Sequence, residues 1–202
     1  PISRWCRRMD AIKALSQPPD CQALTAGHAD LPRPSLPDRD STMPIHQGYL
    51  TGCIGDIVSL HARTYSQTAG FGAYFEAKVA AELSQFIGQL PHADKRLWLH
   101  VEDGKISGSL IIDGEGDFAH LRWFVLDASL HGRGIGRQLM TQALAFVDSR
   151  FTRTYLWTFS GLNAARHLYE SSGFVLTQER EGQQWGESVI EQRFDRSRPH
   201  PI

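Results

Sequence analysis

The sequence predicts a mixed α/β fold, with a central, mostly antiparallel sheet of about seven strands and flanking helices. Three observations lead there. Two stretches with apolar residues at helical spacing come early, three β-prone runs joined by Asp-Gly turns follow, and strand and helix patterns then alternate toward the end of the chain. The 202 residues are 41% hydrophobic, enough for a packed core and most simply one domain with an extension.

Residues 1–43 differ from the rest. Seven of the ten prolines fall at or before Pro44, no aromatic residue lies between Trp5 and Tyr49, and charges of both signs are scattered without period. Such a segment buries too little apolar surface to offset its ordering entropy. The expectation is a flexible extension over 1–43 with a short helix near Met9 to Leu15, a folded domain over 44–196, and a tail over 197–202. Met43 stands where globular character begins, which suits an upstream extension ahead of a true start.

Within the domain, Tyr49 and Leu50 read as a short strand and Ile54 to Tyr65 as a helix. Gly70 and Gly72 interrupt the chain before a longer helix, Ala73 to Leu90, whose face carries Phe75, Val79, Leu83, Phe86, Ile87 and Leu90. Glu76 falls inside that apolar arc. Pro91 ends the helix. Leu97 to Glu102 alternates as a strand, Asp103-Gly104 is a hairpin turn, and Lys105 to Ile112 returns. A second turn at Asp113-Gly114-Glu115-Gly116 leads into Phe118 to Leu126, completing a meander. A helix follows on Ile135, Leu139, Ala143, Phe146 and Val147, then a strand from Thr154 to Phe159. Leu162 to Ser171 reads as a helix with Gly173 in the C′ position. Phe174 to Gln178 and Ser188 to Phe194 are two last strands around a connection at Glu181 to Gly186.

Composition excludes several functions. A net charge of −1 lacks the basic surplus of a nucleic-acid binder, so no nucleic-acid partner is expected. Cys6, Cys21 and Cys53 have neither disulfide-framework nor CxxC spacing, which suits a reduced, cytoplasmic setting. No apolar run approaches the ~18 residues of a spanning helix and no signal-peptide pattern opens the chain, so no membrane partner is expected. The histidines show no HExxH or other ligand spacing, and no metal is expected.

The most informative stretch is Leu121 to Met140, LRWFVLDASLHGRGIGRQLM. A strand gives way to His131, Gly132, Arg133, Gly134, Ile135 and Gly136, and a helix beginning near Arg137 follows at once. The first turn of a helix has unsatisfied N–H groups and partial positive charge, so it suits a phosphate. One glycine would merely permit positive φ; three alternating ones beside two arginines point to close approach of an anion. A dinucleotide fingerprint would need glycine where Arg137 stands, and the turn ends a meander rather than the first strand of a βαβ unit.

This order of elements, with HGRGIG after the third meander strand and NAARHLYESSGF (163–174) after the next, resembles the GNAT superfamily of N-acetyltransferases over roughly Tyr49 to Asp195. More narrowly, RTYSQTAGFGAYFEAKVA (63–80), LWTFSGLNAARHLYESSGF (156–174) and WGESVIEQRF (185–194) resemble acetyltransferase domains fused to MarR-type regulators. The 202 residues hold no winged-helix half, so the resemblance implies no DNA-binding role. It implies a GNAT-like acyl-CoA N-acyltransferase fold with acetyl-CoA as co-substrate. His131 occupies the position where the family usually has Gln or Arg. The diphosphate would lie on the backbone of residues 131–137, with Arg133 and Arg137 as cations. Phe124 and Val125 would hydrogen-bond the pantetheine arm through their backbone, which requires their strand to splay from its neighbour.

By the same resemblance Tyr169 matches the family's general acid, protonating the departing thiolate. A phenol with an ordinary pKa near 10 is protonated at neutral pH and can donate; a core tyrosine is the competing reading. Asn163 matches a position that contacts the pantetheine arm, or is simply a polar residue at a helix start. The attacking amine must lose a proton, and Glu76 is the first candidate base because it projects with the apolar face; its alternative is favourable placement at the positive end of the helix. His120, on the strand leading to Val125, is the second, and with Arg122 it alternates onto the same face as Phe124. Trp98, Trp123, Trp157 and Phe159 are candidates to wall an acceptor pocket. No cysteine aligns with the motifs, so direct attack of a primary amine in a ternary complex is expected rather than an acyl-enzyme. The alternative class is a catalytically weak acyl-CoA-binding sensor or interaction module. The acceptor, small amine or protein, is not readable, and a homodimer through the last strands is compatible with the pattern.

Overall fold

The computed structural model describes residues 45–198. The expectations for the extension over 1–43, its helix near Met9 to Leu15, Cys6, Cys21 and the end of the tail lie outside the described residues. The elements run β1 (His46–Gln47), α1 (Cys53–Ala69), α2 (Ala73–Ile87), β2 (Lys95–Glu102), β3 (Lys105–Glu115), β4 (Phe118–Leu126), a 3₁₀ turn (Ala128–Leu130), α3 (Ile135–Arg150), β5 (Arg153–Phe159), α4 (Asn163–Ser171), β6 (Val175–Gly182) and β7 (Val189–Ser197). They form the expected mixed α/β fold, with one seven-stranded sheet in the order β1-β2-β3-β4-β5-β7-β6. All neighbours are antiparallel except β4 and β5.

Several boundaries differ from the sequence reading, each for a physical reason. The first strand is His46–Gln47, paired with Leu99 and Trp98, and not Tyr49-Leu50. Gly48, at φ 103°, turns the chain off the sheet, and Tyr49 is exposed. α1 continues to Ala69, where Gly70 takes the left-handed conformation at φ 71° and its N–H caps Ser66 at 3.2 Å. α2 ends at Ile87, three residues short of Leu90, with Gly88 as its C-cap. Gly114 lies inside β3 and not in a turn: a Cβ there would meet the Phe151 ring at 2.3 Å, so glycine serves close packing, and the turn moves to Gly116-Asp117. β6 and β7 are longer than expected, consuming part of the predicted connection.

The sheet has two apolar faces, because successive strand residues point to opposite sides. Leu97, Leu99 and Ile111 pack with Ile57, Phe75, Leu83 and Phe86 of α1 and α2. Trp98, Leu110 and Ile112 pack with Leu139, Ala143 and Phe146 of α3 on the other side, joined by Tyr169 of α4. β4 breaks the alternation. Ala119 and Leu121 face α3, yet Trp123 packs with the α1–α2 cluster and Phe124 with the α3 cluster. The register jumps here, from Ile111↔Arg122 to Ser109↔Val125, so Trp123 and Phe124 together oppose Leu110. Trp123 has φ 45°, and its carbonyl accepts a buried 2.7 Å bond from Ser109 Oγ. This is a β-bulge, which bends a strand and re-aims its side chains.

Candidate active site

The bulge opens the sheet. β4 and β5 pair only from Phe118↔Arg153 to His120↔Tyr155, and beyond that point they diverge. Backbone of β4 from Arg122 onward therefore has no partner strand on that side, which is the splay the sequence reading required. A cleft of about 230 Å³ fills the gap and reaches both faces of the sheet, lined by His120 to Phe124 on one strand and Leu156 to Phe159 on the other.

At the end of β4 stands the glycine turn. Gly132 and Gly134 have φ 75° and 80°, and nothing lies within 4 Å of where their Cβ atoms would be. Gly134 is the N-cap of α3 and no side chain caps this end, so the first amides of a 16-residue helix point outward without intrahelical partners. Gly136 sits against Leu126, Leu168 and Phe124, where a Cβ would come within 3.1 Å of Leu126; this glycine brings helix and strand together. Of the two arginines, Arg133 pairs with Glu102 at 3.4 Å, while Arg137 is exposed and makes no ion pair among the described residues. His131 is exposed, and Ile135 is buried as the first apolar anchor of α3.

Tyr169 reaches the cleft from α4. It is 6% exposed, with its ring 6.3 Å from Phe124 and Phe174 and 5.8 Å from Phe194, so it is at once a core residue and part of the cleft wall. Burial, with a smaller contribution from Tyr65, pushes its phenol well above the ordinary range, so it carries its proton at neutral pH. α4 is held in place by Arg196, whose guanidinium grips Asp148 of α3 at 2.6 and 2.9 Å and bonds the Ser172 carbonyl at 3.1 Å.

The candidate bases fare differently. Glu76 is exposed in the first turn of α2 and does not line the cleft, contrary to the expectation that it projects with the buried face. Of the carboxylates, Glu82 lines the cleft instead, two turns further along; it bonds Arg122 Nη2 and Lys78 Nζ. On the helical wheel Glu82 lies about −20° from Phe75, at one edge of the apolar arc, while Glu76 at about 100° lies between Leu83 at about 80° and Ile87 at about 120°, so the wheel alone does not favour Glu82. His120 does line the cleft, with its ring stacked 4.4 Å from Tyr155. Burial and the nearby Arg122 push it down to about 3, so it is neutral at physiological pH. His120 and Arg122 do not share the face of Phe124 as expected, because the bulge intervenes; Arg122 lies 4.0 Å over the Trp123 ring and 3.3 Å from Asp113.

Trp123, Trp157 and Phe159 wall the cleft; Trp98 is 1% exposed on the α3 side and does not. Sequence reading missed Tyr65 of α1, Phe71 of the α1–α2 connection and Phe75 of α2, and Gln184 and Trp185 from the β6–β7 connection, all of which line it. Asn163 is the exposed first residue of α4, away from the cleft and not its N-cap. Cys53 is buried in α1, where burial raises its thiol, and it is not in the cleft. Among the described residues no three His, Cys, Asp or Glu side chains converge on a metal-sized site, and no helix is long and apolar enough to cross a membrane.

The acetyltransferase (GNAT) family model matches residues 56–174. Solved structures of similar fold include an acetyltransferase from Streptococcus agalactiae 2603, 18% identical over 76% of this chain and 98% of that one, with a TM-score of 0.61. Another is the ribosomal-protein-S18-alanine N-acetyltransferase from Escherichia coli, 17% identical over 79% and 97%, with a TM-score of 0.58. A third is a ribosomal L7/L12 alpha-N-protein acetyltransferase in complex with coenzyme A, 13% identical over 76% and 92%, with a TM-score of 0.59. No curated protein matches the sequence.

Proposed function

The chain belongs to the acetyltransferase (GNAT) family and is a transferase enzyme; from that premise we propose that it transfers an acetyl group from acetyl-CoA to a primary amine by direct attack in a ternary complex. One observation carries this reading: the strand gap and Tyr169 share one cleft, and Gly136 in the uncapped first turn of α3 packs on Phe124 of its wall. The backbone amides of residues 131–137 would hold the diphosphate, with Arg137, which makes no ion pair among the described residues, as a cation beside them. Phe124 and Val125 would offer backbone to the pantetheine arm in place of a neighbouring strand. Asn163 is retained as an outer contact to that arm.

In the reaction the amine nitrogen bonds to the thioester carbon, the carbon–sulfur bond breaks, and Tyr169 delivers its phenolic proton to the departing sulfur. Unpaired backbone N–H groups of β4 would stabilise the oxyanion. Glu82 would accept the amine's proton, directly or through water. His120 is the weaker base, because taking up a proton would add a desolvated positive charge near Arg122 and Arg193. Glu76, exposed and outside the cleft lining, is not proposed as the base. Cys53 is buried and poorly ionised, which supports direct attack over an acyl-enzyme.

The reading places the enzyme in the cytoplasm, as a reduced cysteine suits, with an amine acceptor and without nucleic-acid or membrane partners. A homodimer would form through the last strands, on the edge strand β6 next to β7. The narrower resemblance to domains fused to MarR-type regulators rests on the three stretches quoted above. A sensor that binds acyl-CoA without turnover would need neither a proton donor in the gap nor an acceptor cavity. Initial velocities of thiol release, with acetyl-CoA and amine both varied, test the mechanism: intersecting lines are expected, and parallel lines would overturn direct attack.

A further inference from the structure

The cleft is chemically divided. At one end lie Lys78, Glu82 and Arg122, the ionised groups that line it, one carboxylate already bonded to two cations. At the other end the walls are rings. Tyr65 meets Phe75 edge-on at 5.6 Å and Phe159 at 5.5 Å, while Phe71 lies 5.0 Å from Phe75 and 5.1 Å from Phe159. Trp185 closes this end from the β6–β7 connection, stacked 6.0 Å from Phe71 at 28° and 5.6 Å from Phe159. Beside it, Gln184 Nε2 is buried without a partner.

That connection is braced. Glu191, 1% exposed, accepts from the Gln184 backbone N–H at 3.0 Å and from Arg180 Nε at 3.2 Å. Its carboxyl occupies the space where a Cβ on Gly182 would stand, and Gly186 is pressed against the Tyr74 ring. Gln184 and Trp185 are therefore held over the cleft by built contacts.

Resting on the acetyl-transfer reading, we propose that the acceptor is a small primary amine carried on a single aromatic ring, with a hydrogen-bond acceptor oxygen beside the amine. The ring fills the aromatic end, and the oxygen takes the unpaired Nε2 donor of Gln184, which is buried until its amide turns toward the ligand. An unpaired buried donor is costly, so a ligand oxygen that satisfies it gains selectively over one that cannot. The volume of about 230 Å³, roughly eight waters at ~30 Å³ each, also takes the acetyl end of the thioester, so the acceptor is no larger than one ring and a short arm. Polyamines and lysine side chains are disfavoured: their second cation or flexible stem would meet a cleft with two cations and one carboxylate, Glu82, which the first amine already uses. The net positive charge lowers the pKa of a bound amine and favours the neutral form that attacks.

The test is a panel of amines with the full chain, measuring thiol release alongside calorimetric binding of acetyl-CoA. Phenylalaninamide and 2-phenylethylamine are expected to exceed spermidine and N-α-acetyl-lysine amide in kcat/KM by about a hundredfold. Gln184→Leu is expected to lower the ratio of kcat/KM for phenylalaninamide over 2-phenylethylamine by about tenfold. Trp185→Ala is expected to raise KM for both about tenfold, with Trp185→Phe restoring most of it. Acetyl-CoA binding with fastest turnover of spermidine or the lysine amide would overturn the acceptor assignment and leave acetyl transfer standing. Failure to bind acetyl-CoA would overturn both.

Discussion

In the proposed mechanism Tyr169 holds two roles without conflict. Its ring packs against Phe124, Phe174 and Phe194, and burial keeps the phenol protonated where the sheet opens. Tyr169→Phe keeps the packing and removes the proton, so kcat for thiol release should fall about a hundredfold while the melting temperature moves by no more than a few degrees. An unchanged kcat would remove Tyr169 from the mechanism. For Glu82→Gln a kcat loss of about a hundredfold at pH 7.5 is expected, against little loss for Glu76→Gln; kinetics of the two variants side by side decide between the two helix positions. The tyrosine was legible because it sits in a motif. Glu82 was not, because a carboxylate among apolar residues is a weak signal until its partners Arg122 and Lys78 are known.

At the scale of elements, the proposed function rests on a bulge and a helix start. The glycine turn was legible from three alternating glycines. The bulge was not: Arg122-Trp123-Phe124-Val125 reads as unbroken strand, and only the pairing with β3 shows that two residues oppose one. That slip is why His120 and Phe124 were assigned to one face. Ser109 holds the bulge through its bond to the Trp123 carbonyl, buried at both ends. Removing the hydroxyl leaves that carbonyl unsatisfied, so Ser109→Ala should cost about 1–3 kcal/mol in denaturant unfolding and weaken acetyl-CoA binding as the gap relaxes. Lost stability with unaltered acetyl-CoA affinity would separate the bulge from the binding site.

For the molecule as a whole, the order of elements and the sheet were readable because each element carries its own periodicity, while the gap through the sheet arises from pairing between distant segments. Global electrostatics add a further expectation. His61 is buried in α1, its Nδ1 2.9 Å from the Ile57 carbonyl, and burial pushes it down to about 4; His120 is pushed down to about 3. Both remain neutral in the fold at pH values where the unfolded chain is protonated. Their contribution is thus complete above the unfolded value near 6.5 and is lost as pH falls from there through about 4 and 3. Unfolding midpoints should therefore fall between pH 7 and pH 5, and should fall less in His61→Asn.

The proposed function requires the cleft to seat an acyl-coenzyme A thioester between strands that have parted, with its diphosphate on the start of α3. Calorimetric titration of the purified chain with acetyl-CoA measures this directly. Saturable binding at one site per chain, weakened at least tenfold by Gly134→Val at the left-handed N-cap, is the predicted result. No saturable binding, or binding indifferent to that substitution, would contradict it.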